Sequence, residues 1–134
     1  MPTPKLNFMN NQTQQFLKKY EQIKLLDEET ISMLNEFASG NPEIVQDILD
    51  SFEPEAIKLM EEIKIASENK DVQLLKTAAH SLSGISGSIG AARLRQVATD
   101  TENAIKAENL NEAFELSEIL SLTFDELIVL LKNM

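Results

Sequence analysis

Residues 79–94 read AHSLSGISGSIGAARL and hold the only histidine of the chain, His80, with three of its four glycines, Gly84, Gly87 and Gly90. The flanking sequence repeats its apolar residues with a helical period, and a glycine inside a helix costs roughly 1 kcal/mol against alanine. Two explanations for these glycines are open. They can end the helix and turn the chain, or they can clear the surface beside the imidazole for the close approach of another molecule.

The period decides where the histidine points. From about Asp71, Leu75, Ala78, Leu82, Ile85 and Ile89 recur at steps of three and four, the spacing of one buried helical face. His80 lies two residues from both Ala78 and Leu82, and two steps turn a helix by about 200°. The imidazole is therefore predicted to face solvent. Ser83, Gly84 and Gly87 follow it at three, four and seven residues, and Lys76 and Gln73 precede it at four and seven. All of them share its face. A solitary exposed histidine ordinarily carries no chemistry, and Gly90, next to the following turn, fits the helix-ending explanation. Gly84 does not.

The same period runs through the rest of the chain. A first helix is expected from Asn10 to about Leu25, carried by Phe16, Leu17, Tyr20, Ile23 and Leu25. Asp27, followed by Glu28, Glu29 and Thr30, starts a second with a capping residue and first-turn acids. Ile31, Leu34 and Phe37 or Ala38 form its stripe, and Gly40 closes it. Asn41 and Pro42 restart the chain as cap and first helical residue, opening a run through Val45, Leu49, Phe52, Ala56 and Ile63 to about Ser67. Pro54 falls inside this run and is expected to kink or break it. After the histidine, Leu94, Val97, Ala98, Thr101 and Ile105 carry one run from near Ala91. Ala113, Leu116, Leu120, Phe124, Leu127 and Leu131 carry the last. No stretch alternates as a strand does. Short connections imply antiparallel neighbours, hence an all-α, antiparallel up-and-down four-helix bundle with additional short N-terminal helices. Residues 1–9, with Pro2 and Pro4 and no apolar period, are expected to form a flexible arm, and 10–134 a single domain.

Composition narrows the function. The chain has 134 residues, 43% of them hydrophobic, and a net charge of −10 from 22 acids and 12 bases. That field repels phosphate backbones and argues against nucleic-acid partners. No apolar run approaches the length of a membrane span, and the start lacks the apolar core of a signal peptide, so the expected location is the cytoplasm without membrane insertion. Zero cysteines remove disulfides and thiolate chemistry. Ser83, Ser86 and Ser88 lie near His80, but a serine nucleophile needs an acid to orient its histidine, and none lies on that face within two turns. One histidine with no cysteine and no calcium loop gives no metal site. No P-loop or kinase glycine loop is present, since GISGSIG follows no strand and no GK[ST] follows it.

On these residues the sequence resembles the histidine-containing phosphotransfer (HPt) domain of two-component phosphorelays. The motif H-x-L-K-G, followed by small residues, a further glycine and an Ala-x-x-Leu continuation, is matched by His80, Leu82, Gly84, Ser86, Gly90 and Leu94. The likeness extends over about residues 27 to 132 through FEPEAIKLMEEIKIA, LLKTAAHSL and a following helix that carries Glu102. It implies that Nε2 of His80 takes a phosphoryl group from the aspartyl phosphate of a response-regulator receiver domain and passes it to another. Partners would be such receivers and a hybrid sensor histidine kinase. The protein would be a monomeric phosphocarrier with no ATP site and no cofactor, the Mg²⁺ belonging to the receiver. The alternative is an interaction module of the same fold that binds receivers and is never phosphorylated. One position departs from the family pattern. Where many members carry lysine three residues after the histidine, this chain has Ser83, which can donate a hydrogen bond but no charge. Lys76, one turn before His80 on its face, is the first candidate to replace that charge. Lys58 is the second, because a turn near residue 69 folds it back level with His80. Gly84 and Gly87 would supply clearance for docking.

Overall fold

The computed structural model describes residues 11–133; the expected arm at 1–9 lies outside them. Six helices follow in order: α1 (Asn11–Glu21), α2 (Glu28–Phe37), α3 (Pro42–Asn69), α4 (Val72–Ser88), α5 (Ala92–Lys106) and α6 (Leu110–Lys132). The start signals act where the sequence places them. Asp27 accepts from the Glu29 N–H at 3.0 Å and the Thr30 hydroxyl at 3.1 Å. Asn41 caps Glu43 at 3.0 Å and Asp71 caps Leu74 at 3.1 Å. At the other ends, Gly40 and Lys70 take left-handed conformations, φ 74° and 53°, which stop α2 and α3.

Two of these expectations are refined. The first helix ends at Glu21, so Ile23 and Leu25 pack against the core from a bend rather than from a helix. Pro54 does not break α3, which runs through it from Pro42 to Asn69. Of the kink or break expected there, the break does not occur; Pro54 and Asp50, whose carbonyl loses its helical donor, are both exposed, on a face where solvent can take the place of that donor.

Helices α3 to α6 form a ring of antiparallel neighbours. The seams α3/α4, α4/α5 and α5/α6 are closely packed and α3/α6 is the loosest. Leu75, Ala78, Ala79 and Leu82 of α4 and Leu94, Val97, Ala98 and Thr101 of α5 are buried. The alanines among them let these two backbones approach closely. Burying such side chains contributes about 1.5–3 kcal/mol for each large one. On the last helix Ala113, Leu116, Leu120 and Leu127 are buried, while Phe124 and Leu131 pack partly exposed against the same core.

The two short helices are fastened to this ring by polar contacts. The Tyr20 hydroxyl of α1 donates to Asp100 of α5 at 2.5 Å. Between α1 and α2, Arg93 at the start of α5 donates from its side chain to the carbonyls of Ile23 at 2.7 Å and Glu21 at 3.1 Å, and pairs with Glu126 at 3.2 Å. Its backbone N–H reaches the Lys24 carbonyl at 3.0 Å. The Asp27 N–H donates to the Gly90 carbonyl at 2.6 Å, so α2 begins directly against the α4/α5 turn. Gly90 has φ +72°, and a Cβ there would meet the Thr30 Cβ at 2.7 Å. Gly84 has nothing within 4 Å of that position.

Two outcomes follow for stability. Gly90→Ala combines left-handed strain with a clash and should destabilise by about 1–3 kcal/mol, whereas Gly84→Ala should stabilise by about 0.5–1 kcal/mol; urea denaturation of both variants checks the opposite signs. For Tyr20, burial first, and then the hydrogen bond to Asp100 and the charges of Asp100 and Glu112, push the phenol far above its ordinary value. The folded state therefore keeps a proton that the unfolded state loses above about pH 10. Stability should hold up to that pH and fall beyond it. Tyr20→Phe should flatten the alkaline limb of the pH–stability curve, as denaturation between about pH 9 and 11 would show.

Candidate functional site

The site is built by one antiparallel register. Gly87 of α4 lies under Arg95 of α5, a Cβ at Gly87 being 3.3 Å from Arg95 Cδ. One turn along, the hydroxyls of Ser83 and Thr99 share a hydrogen bond of 2.9 Å. On the next turn, His80 Nδ1 meets Glu102 Oε1 at 3.1 Å. Lys106, one turn further on α5, pairs with the other oxygen of Glu102 at 3.5 Å, and the same register sets Lys76 level with Lys106. These residues step by three and four along each helix, so they line a single seam.

His80 is exposed as its period predicts, with 74% of its side chain accessible, while the Glu102 side chain is only 14% accessible. Burial by itself would raise the Glu102 carboxyl. The hydrogen bond and charge of His80, with the charge of Lys106, outweigh it and hold the group below its ordinary value. Glu102 is therefore ionised near neutral pH. A carboxylate can only accept, so Nδ1 must carry the proton that joins the pair. The neutral ring is thereby fixed in the tautomer whose Nε2 lone pair is free, on the edge away from Glu102. The arrangement supplies an oriented nitrogen nucleophile with an anion behind it to stabilise the cation that forms as Nε2 gains a substituent.

The other sequence candidates fall around this pair in different ways. Gly84 is exposed one turn from His80 and leaves open space there. The Ser83 hydroxyl is tied to Thr99, Ser86 is fully buried, and Ser88 donates to the Ile85 carbonyl at 2.7 Å. None of the three is bonded to the imidazole, so no serine–histidine pair is assembled. Lys76 is half-buried on the histidine's face and takes no ion pair among the described residues. Lys58 is exposed on α3. That helix meets α4 on its opposite flank, where Ile48, Phe52 and Glu55 line a groove with Ile85, Ser88 and Ile89. Lys58 bonds to neither His80 nor Glu102. Among the described residues no three metal-ligating side chains gather, and no helix is long and apolar enough to cross a membrane.

Glu102 is visible in sequence as the acid of the following helix, but its role is not, because twenty-two residues separate it from His80. Thr99, Lys106 and Arg95 have no signal in the sequence at all until the register is known.

Comparison with known proteins bears on the family and the fold. The profile described as the Hpt domain matches residues 47–133. The structure is similar to the crystal structure of histidine-containing phosphotransfer protein B (HptB) from Pseudomonas aeruginosa PAO1. The TM-score is 0.74 at 24% identity, over 84% of this chain and 95% of that one. No curated protein matches the chain in sequence. The matched span takes in α4 to α6 whole, with His80 and Glu102, and most of the chain: the protein belongs to the Hpt domain family, the phosphotransfer carriers of two-component phosphorelays.

Proposed function

We propose that His80 is the phosphoacceptor of this carrier and that Glu102 is its positioning residue. The observation that carries the reading is the exposed imidazole held at Nδ1 by an ionised, half-buried carboxylate. In the forward step the Nε2 lone pair attacks the phosphorus of a receiver's aspartyl phosphate. The phosphorus–oxygen bond to that aspartate breaks and its carboxylate leaves with the bonding pair. The ring becomes a phosphoimidazolium whose Nδ1 proton stays on the hydrogen bond to Glu102. Attack by the carboxylate of a second receiver reverses these bond changes and returns neutral His80. No proton has to be moved in either direction, so the step is mostly positioning and charge stabilisation. The Mg²⁺ that phosphoryl transfer needs is assigned to the receiver, and this chain to the role of a carrier rather than an enzyme with its own turnover.

A second reading rests on Ser83. Its hydroxyl is turned to Thr99 and brings no charge to the ring, as a module that docks receivers without being phosphorylated would allow. Two measurements test the proposal. In the first, ¹⁵N NMR of the imidazole should show the Nδ1–H tautomer predominating in the neutral form, and Glu102→Ala should shift it toward the Nε2–H form usual for free histidine. An unchanged tautomer would remove Glu102 from its role. In the second, a phosphorylated receiver that binds the protein should deposit acid-labile, base-stable phosphate on wild type and none on His80→Gln, while both bind that receiver alike. Glu102→Gln should slow acceptance by roughly tenfold, about 1.4 kcal/mol of transition-state stabilisation. Binding without label on wild type would establish the docking module instead.

A further inference from the structure

The net charge of −10 is not spread evenly over the bundle. Along the α4/α5 seam Lys76, Lys106 and Arg95 stand against one carboxylate, Glu102. Lys106 is committed to that carboxylate. Arg95 is different: it is exposed, takes no acidic partner among the described residues, and still does not extend freely into water. Its Cδ, Nε and Cζ lie 3.3, 3.4 and 3.7 Å from where a Gly87 Cβ would stand, so the side chain is laid along α4 in the space that a missing methyl group leaves.

Gly87 is seven residues from His80, which is two turns and about 20° around the helix. The guanidinium is therefore presented on the histidine's own face, about 10 Å along the axis. Laying it on a neighbouring backbone restricts the rotamer freedom that a long cationic side chain otherwise loses on binding. The five N–H donors of the fork stay available for carboxylates. A Cβ at Gly87 would stand 3.3 Å from Arg95 Cδ, so even alanine there would shift the side chain from its seat, and a larger residue would shift it further.

We infer that Arg95, seated on Gly87, is a docking residue of the α4/α5 seam that engages a carboxylate on the acidic surface surrounding the partner receiver's aspartate. The assignment rests on the reading that receivers are the partners. It makes Arg95 a determinant of which receivers dock and how fast they find the histidine, and leaves the lifetime of phosphohistidine to groups nearer the ring.

The test uses the full chain and a receiver domain chosen from a purified panel because it binds wild type. Its Kd is titrated from low to moderate salt, with transfer and phosphohistidine half-life followed in parallel. Arg95→Ala should weaken binding about tenfold and reduce the salt dependence, Arg95→Lys should restore part of the loss, and Gly87→Ala should give a smaller loss of the same kind. The half-life should not change in any of them. Circular dichroism confirms that each variant is folded. Unchanged Kd and salt slope in Arg95→Ala would overturn the docking role, as would a shortened half-life with unchanged Kd, which would move Arg95 to the phosphoryl group. Binding that depends on Arg95 without label on His80 would sustain this inference while ending the phosphocarrier reading. A panel in which no receiver binds wild type would end both.

Discussion

Two antiparallel helices with alanines between them set where every group at the site lies. The close packing of α4 on α5, through Ala78, Ala79 and Ala98, allows a side chain as short as serine to reach Thr99 and lets an imidazole meet a carboxylate edge to edge. Their register matters as much as their distance. Sliding α5 by one turn, about 5.4 Å, would put Lys106 or Thr99 opposite His80. A cation there would not accept from Nδ1 and would repel a positively charged ring. Neither alternative would hold the tautomer that frees Nε2. The register is set at the three-residue turn, where the Ala91 N–H returns to the Ser86 carbonyl at 2.9 Å and Gly90 is locked against α2 by Asp27 and Thr30. A glycine ten residues from the histidine is thus part of what aligns it.

The three glycines of the histidine segment have three different causes. Gly90 is required by its backbone angle and by the approach of Thr30, so it belongs to the fold. Gly87 leaves room for a neighbouring side chain. Gly84 meets neither constraint, since its conformation is helical and the space beyond it is open. No internal contact of the bundle requires a glycine there. The helix-ending explanation thus holds for Gly90, and clearance for a docking partner is the role proposed for Gly84.

What the sequence shows and what it hides divide along one physical line. Properties fixed within a helix are legible: the caps at Asp27, Asn41 and Asp71, the buried stripes, and the outward direction of His80 all depend on residues a few positions apart. Properties fixed between helices are not. Glu102 could be noted but not assigned, because a register difference of one turn changes its neighbour. The staple that Arg93 makes to the carbonyls of Glu21 and Ile23 has no periodic signature, since its acceptors are backbone groups that every residue possesses. Pro54 shows the opposite limit. Its local rule predicts a kink or a break, and the break is absent: Pro54 lies on an exposed face while Phe52, Ala56 and Ile63 pack on the other side of a continuous helix.

The charge balance at the ring bears on how such a carrier works. A phosphoryl group must be stable enough on nitrogen to survive diffusion between partners and labile enough to leave. A cation beside the phosphoryl oxygens favours the first; an anion at Nδ1 favours the second, because it keeps the ring protonated and a protonated ring is the better leaving group. Here the anion is built in, held between His80 and Lys106. The position three residues after the histidine holds a serine bonded to threonine rather than a cation. Lys76 lies one turn before His80 in the chain, and Lys106 is paired with the carboxylate itself. With His80 as the proposed phosphoacceptor, this distribution would weight the site toward release, as befits a carrier whose task is to hand the group on.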